Sequence, residues 1–522
     1  MFRRLKGWTA ALLLAVTASA TPAHADWLKA ESERFIVYSD GPERPLREFT
    51  QKLETFDRLL RMHMGLPLEE APHRKLPIYL VRSPSGLAAV RPGIQDEVAG
   101  FYHSSGEDIF AIATQSGSGL GADDVLLHEY AHHFMMQHFP YPYPAWFIEG
   151  FAEYYMTAEI RPDRVLVGKY NANRASWITD GSWMLISDLL SSRPLQRRVR
   201  NSETFYPLSW LLTHWFMGDE DRRRLLHAYL LDVGGGGDSI EAMERVTGMN
   251  MTQLRRTLRA YRRIPYQAII HPFPTVPIEV TSLPSSANDL LLLNQRLKVG
   301  VPADRRANTV RDVRRVTARH PNDPLALLVL GHGELHFGER EAGRAALNQL
   351  LAVDPDHVEA MQLLVSDLFH QMRETEDPDA VNALRGQARA LLARAYRVDE
   401  ANYTTLLHMS ELRRGVLGWP NENDIATLRI AYTLAPQLTE ARLNLATALI
   451  AVENREEAIA LLAPLSNSPH GGEGAEAARR LINQARGVTD EEAEAEEEAS
   501  RRRANAEEDD TGGSAVRKSS TD

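Results

Sequence analysis

Two histidines and a glutamate stand in the pattern His128-Glu129-x-x-His132, inside the run Val125-Leu-Leu-His-Glu-Tyr-Ala-His-His-Phe134. On an α-helix, residues four apart lie one turn apart on the same face, so both imidazoles can reach one ion. Glu129, beside the first histidine, can point at a water on that ion. Val125, Leu126, Leu127, Ala131 and Phe134 supply the apolar flanks that a buried helix needs, and Asp123 and Asp124 are N-cap candidates that also place favourable charge at its start. Pro140-Tyr-Pro-Tyr-Pro144 ends this helix, because proline cannot continue it. Ala145-Trp-Phe-Ile-Glu149-Gly-Phe-Ala-Glu153-Tyr154 then reads as a second amphipathic helix. A helix, a short turn and a second helix bring Glu149 back beside the two histidines. Two His and one Glu leave a fourth zinc position open for water. Glu153, one turn beyond Glu149, is placed to orient a ligating histidine from behind.

The two stretches HEYAH and WFIEGFAEY together resemble the gluzincin branch of the zinc metallopeptidases, the peptidase-MA-like group. The strict motifs cover a small part of the chain, and a looser likeness runs through its first half. The resemblance implies one Zn2+ per chain, with His128, His132 and Glu149 as ligands and Glu129 as general base. It also implies a transition-state donor. Many gluzincins place a Tyr or His about as far beyond the third ligand as Tyr206 stands beyond Glu149, and Phe205-Tyr206-Pro-Leu-Ser-Trp210 makes Tyr206 the candidate, with a packed core tyrosine as the alternative. In the family a strand along the cleft holds extended substrate by main-chain bonds. Ile109 to Ala113 is the candidate strand, and an ordinary core strand fits the same pattern. Aminopeptidases of this branch carry Gly-x-Met-Glu-Asn upstream. The comparable Ser104-Ser-Gly-Glu-Asp108 does not match and offers only Glu107 as a weak substitute, which favours an endopeptidase or processing peptidase.

His138 stands where metzincins carry a third histidine, but that pattern needs Gly at position 135, and Met135 lets the helix continue. His138 then points away from His132, and His133 faces another side of the helix.

Length and composition bound the rest. A chain of 522 residues, 43% hydrophobic and 25% charged, suits two or three globular domains. The formal net charge is -11, and residues 487–522 alone hold twelve acidic and five basic side chains, or -7. The remainder is only mildly acidic, so nothing suggests nucleic-acid binding. The absence of cysteine excludes disulfides, a thiol nucleophile, Cys-ligated zinc and a lipoprotein anchor. Arg3, Arg4 and Lys6, the short apolar run from Trp8 to Ala20 and the site Ala23-His24-Ala25 read as a signal peptide over 1–25. The expected destination is a bacterial periplasm or secretion beyond it. No other stretch has the length and apolarity of a membrane helix.

The elements that must position the site follow in order. Phe35–Tyr38, Leu76–Val81, Gly100–Tyr102 and Ile109–Ile112 read as strands, and Leu46 to Met64 as an amphipathic helix. Residues 157–265 read as helical, with helices at Met184–Leu190, Tyr206–Met217, Arg222–Leu231 and Ile240–Arg263. Residues 26–265 thus form the expected metallopeptidase domain, sheet and zinc helices first and a helical lobe after. A proline-rich linker spans 266–288, with one strand at Ile278–Thr281. Beyond it His320-Pro321-Asn and Asp354-Pro355-Asp stand one 34-residue period apart, and Ala435-Pro436-Gln falls two periods later with an insertion, assigned to the polar stretch Glu376 to Asn382. That period with paired helix patterns resembles tetratricopeptide repeats, four to five of them within 289–486, closed by a capping helix at Glu473–Ala485. Residues 487–522 read as a disordered charged tail.

The predicted architecture is therefore an α+β zincin-like metallopeptidase domain followed by an all-α tetratricopeptide-repeat solenoid. The predicted function is peptide-bond hydrolysis by a Glu129-activated, zinc-bound water, with peptide or protein as substrate and a protein partner on the repeats. The rival is a repeat scaffold that carries a zinc-binding fold with little turnover.

Overall fold

The computed structural model describes residues 26–95, 98–115, 122–161, 163–170, 172–179, 181–191, 199–261, 265–270 and 273–493, and scattered residues up to 506. The expected signal peptide lies outside them.

A six-stranded mixed sheet forms the first layer. Its strands are β1 (Leu28–Glu31), β2 (Phe35–Ser39), β3 (Leu76–Val81), β4 (Gly100–Ser104), β5 (Ile109–Thr114) and β9 (Glu279–Ser282), in the order β4-β5-β3-β2-β1-β9. β2, β3 and β5 run parallel, and the remaining pairs are antiparallel. Every residue of β5 is buried, as expected of a strand covered on both faces. The period of two sorts the side chains. Val37, Ile78, Leu80, Ala111 and Ala113 face helix α1 (Glu43–Met64) and helix α3 (Ala122–His138). Tyr79, Val81, Phe110 and Ile112 face helix α2 (Pro84–Val90) and Ala287 and Leu291 of helix α11 (Ala287–Val299).

Three expectations change here. First, β5 pairs on both sides, with β3 and β4, so Ile109–Ala113 has no free edge; the edge strand on this side of the sheet is β4. Second, the segment 266–288 is no loose connector. Its β8 (Gln267–Ile269) joins β6 (Glu159–Arg161) and β7 (Arg164–Val167) in a second small sheet, and β9 pairs with β1. The start of the expected helical lobe is therefore β-structure. Third, Ile240–Arg263 is two helices, Ser239–Thr247 and Met251–Ala260. Gly248 takes the left-handed conformation that stops the first (φ +67°), and Asn250 opens the second with a capping box to Gln253.

The C-terminal half is a chain of antiparallel helix pairs: α11 with α12 (Arg306–Thr317), α13 (Pro324–Phe337) with α14 (Arg340–Val353), α15 (Val358–Glu374) with α16 (Pro378–Val398), α17 (Tyr403–Arg413) with α18 (Glu422–Leu434), and α19 (Thr439–Ala451) with α20 (Arg455–Ser466). Helix α21 (Gly472–Arg486) closes the array. The insertion in the third pair lengthens the helices rather than the loop: α15 has 17 residues and α16 has 21. Of the charged tail, Asp490–Ala493 continues helically after a break at Gly487, and the Asn505 amide reaches Ser187 and Asp188. Beyond a few scattered residues up to 506, the rest of the tail lies outside the described residues.

The array folds back on the sheet. The β4–β5 turn sits against the first helices of successive pairs. Lys298 of α11 meets Asp108 at 3.2 Å, His332 of α13 meets Glu107 at 3.2 Å, and Thr404 of α17 donates to the Gly106 carbonyl at 2.7 Å. Tyr403, Leu406, Leu445 and Ile482 belong to the same core cluster as Phe35 and Trp146. The two halves therefore share buried core residues. A chain ending at Ser282 uncovers Tyr79, Phe110 and Leu87, and it is expected to aggregate or melt at least about 10 °C below the full chain. A soluble fragment with the full chain's melting temperature would show that the sheet does not need the array.

Candidate metal centre

Helix α3 carries apolar side chains around much of its circumference, as a buried helix does. It begins at Ala122, so Asp123 and Asp124 lie in its first turn rather than before it. Its back is pinned by a buried charge network. The Tyr130 hydroxyl donates to Asp57 Oδ1 at 2.6 Å, and Asp57 Oδ2 pairs with Arg34 at 2.8 Å and Arg61 at 2.9 Å. The proline-rich segment 140–144 then turns the chain into α4 (Ala145–Met156). Gly150 lets α4 approach α7 (Phe205–Met217): a Cβ there would stand 2.1 Å from Thr213 Oγ1 and 2.5 Å from the Ser209 carbonyl oxygen.

This geometry brings the predicted ligands together. His128 Nε2 and His132 Nε2 lie 3.1 Å apart, and Glu149 Oε2 lies 3.4 Å from the first and 3.5 Å from the second. One ligand atom from each falls within 4.8 Å of the other two. Glu149 is 0% exposed, and neither of its oxygens has a hydrogen-bond donor in line. A carboxylate buried in this way needs a cation, and two imidazole nitrogens with one carboxylate oxygen are the donor set that takes a divalent ion. Burial acts to raise the Glu149 carboxyl pKa, but His132, His128 and His470 outweigh it and hold the pKa well below the ordinary range. Burial acts to lower the His132 pKa, and Glu149 more than offsets this.

The other predicted residues line the same space. Glu129 is half-buried, and its charge acts on His132, Tyr206 and His470. Glu153 is buried with Oε1 3.8 Å from His128 Nδ1, too far for a hydrogen bond, and it is held at 2.8 Å by Arg174. The Tyr206 ring lies under the same Arg174 guanidinium, 4.8 Å from ring centre to Cζ. Burial and then Glu149 raise the Tyr206 pKa, keeping the hydroxyl protonated.

His138 and His133 stand apart from the centre. His138 Nε2 meets Arg61 at 3.2 Å, and His133 Nδ1 meets the Tyr102 hydroxyl at 2.9 Å. Tyr155 bonds His63, and Trp146 donates to Tyr229, so both serve packing. Glu107, the weak substitute for an aminopeptidase glutamate, faces α13 and not the centre. A cavity of about 260 Å3 also lies on that side, lined by Arg74, Glu107, Asp108, Lys298, Glu359 and Tyr403 among others.

Sequence reading missed one contributor. His470, in the turn between α20 and α21, reaches across from the array. Its Nε2 lies 3.1 Å from Glu149 Oε1 and 3.4 Å from the Tyr206 hydroxyl. No local pattern marks it, since the turn Pro469-His470-Gly471 reads as an ordinary loop.

Comparison with known proteins adds little. No protein-family model matches the chain, and no curated protein matches it. Among solved structures, a thermophilic TPR protein from Thermus thermophilus is similar at 23% identity, with a TM-score of 0.33, over 38% of this chain and 98% of that one. Among the described residues no helix is long and apolar enough to cross a membrane.

His470 lies beside Glu149 Oε1, while the two histidines lie nearest Oε2. Groups that orient a ligand in this way typically carry a roughly 10–100-fold share of metal affinity. His470→Ala is expected to weaken Zn2+ binding by about that factor, read by competition with a chromophoric chelator. Unchanged affinity would mean that the contact is incidental.

Proposed function

We propose that the chain is an exported zinc-dependent peptidase of gluzincin type, acting on internal peptide bonds. The observation that carries this reading is the convergence of His128, His132 and a fully buried Glu149, with the Glu129 charge acting on His132. His128, His132 and Glu149 would hold one zinc ion. When bound, zinc supplies a Lewis acid that lowers the pKa of a water and polarises a carbonyl. Glu129 takes the proton of the attacking water on its carboxylate and passes it to the leaving amine. Tyr206, kept protonated, donates to the oxygen on which negative charge develops. Arg174 fixes both Glu153 and the Tyr206 ring, so it positions the donor and not the substrate. β4, with one edge free of sheet pairing, replaces β5 as the strand along which an extended peptide would lie.

The rival reading is a repeat scaffold with little turnover, supported by the helix-pair array itself. It is disfavoured by the filled inner side of that array, where the β4–β5 turn occupies the place a partner would take.

Glu129→Gln is expected to keep its zinc and its fold while losing about 100- to 10,000-fold in peptide hydrolysis, because the amide cannot accept the water's proton. Near wild-type turnover would remove Glu129 as the base. A wild type inactive across a broad peptide library would favour the scaffold.

Tyr206→Phe removes only the hydroxyl. A fall of about ten- to a thousand-fold in kcat is expected, with KM, zinc content and melting temperature little changed. Unchanged kcat would make Tyr206 a packing residue.

A further inference from the structure

The β4–β5 turn carries Glu107 to the first-helix side of the array, where α13 presents His332 and His336 one turn apart. Glu107 Oε2 lies 3.2 Å from His332 Nε2, and the two imidazole centres lie 4.9 Å apart. One ligand atom from each of the three groups lies within 4.8 Å of the other two. His332 is 1% exposed, and neither of its ring nitrogens makes a hydrogen bond. A buried imidazole in that condition is costly unless another group takes its lone pair.

The neighbouring cations do not fill that role. Lys298 is held by Asp108 at 3.2 Å and Glu359 at 3.0 Å, and Arg340 is held by Asp367 at 2.9 Å. Each positive charge beside the cluster has its own carboxylate, and Glu107 is left facing the two rings.

We propose that Glu107, His332 and His336 form a second divalent-metal site of the zinc class. Two imidazoles and a carboxylate match zinc in donor type and number. Glu107 and His336 stand on the exposed side, where water completes the coordination. The site is structural: it joins the turn after the edge strand β4 to the second helix pair, two segments more than 200 residues apart in sequence. Ion binding there clamps the sheet to the array, independently of the centre at His128, His132 and Glu149.

The test is zinc titration of the full-length chain, with bound metal counted after equilibrium dialysis. The wild type is expected to hold two ions per chain, and His128→Ala/His132→Ala is expected to keep one. His336→Gln and Glu107→Gln alter exposed side chains, and each is expected to lose one ion and keep the other. Zinc should raise the melting temperature of His128→Ala/His132→Ala, and not of the same chain with His336→Gln added. A His128→Ala/His132→Ala chain that binds no zinc, or a His336→Gln chain that still binds two ions, overturns the proposal. A single ion lost with His336→Gln but kept in His128→Ala/His132→Ala would instead overturn the peptidase centre and leave this site standing.

Discussion

A carboxylate with no exposure to water has to be paired, and Glu149 is such a carboxylate. Leaving it ionised without a partner would cost several kcal/mol, so the fold gathers positive or metal-binding groups around it. His128 and His132 come from the preceding helix, and His470 comes from the far end of the array. The surroundings follow from holding these groups in place. The Arg34–Asp57–Arg61–Tyr130 network fixes the back of α3. Gly150 allows α4 to lie close enough to α7 for Tyr206 to face the same space. Apart from the His128–His132 pair and the Asp57–Arg61 pair within α1, these contacts join residues that are not neighbours in sequence.

The β4–β5 turn follows a related logic. Its carbonyls and carboxylates leave the sheet with no strand to pair with, and buried backbone groups need partners. Thr404 bonds the Gly106 carbonyl, and Lys298 and Arg74 meet Asp108. The array satisfies the turn, and the turn fills the side of the array that its first helices enclose. With α11 also covering Tyr79 and Phe110, each half completes the other's core.

How much of this was legible depended on the range of the interaction. The His128–His132 spacing and the return of Glu149 rest on helix geometry and a proline-rich turn, and both are written within thirty residues of sequence. The helix pairs were legible because their period repeats. The break in Ile240–Arg263 had a local signal, Gly248-Met-Asn250, which the apolar spacing on either side masked. The edge strand was not legible, because β4 and β5 differ only in which neighbours they pair with, and pairing order is a tertiary fact. Within 266–288 the strand expected at Ile278–Thr281 forms as β9, one residue further on, whereas β8 was hidden in a proline-rich stretch that read as a linker. His470 had no signal, and Glu107 was singled out for a different role: each meets a group more than two hundred residues away, across an interface that no local pattern encodes.

The closed arrangement bears on how the array could bind anything else. Its inner side already holds Ser105 to Asp108, so a ligand entering there must displace that turn or share its contacts. Displacement would free the end of β4, whose Tyr102 bonds His133 on the helix that carries His128 and His132. At the far end of the array, the turn before α21 places His470 3.1 Å from Glu149. The candidate metal centre thus meets the rest of the chain at two distant places, at the edge strand through Tyr102 and His133 and at the end of the array through His470 and Glu149.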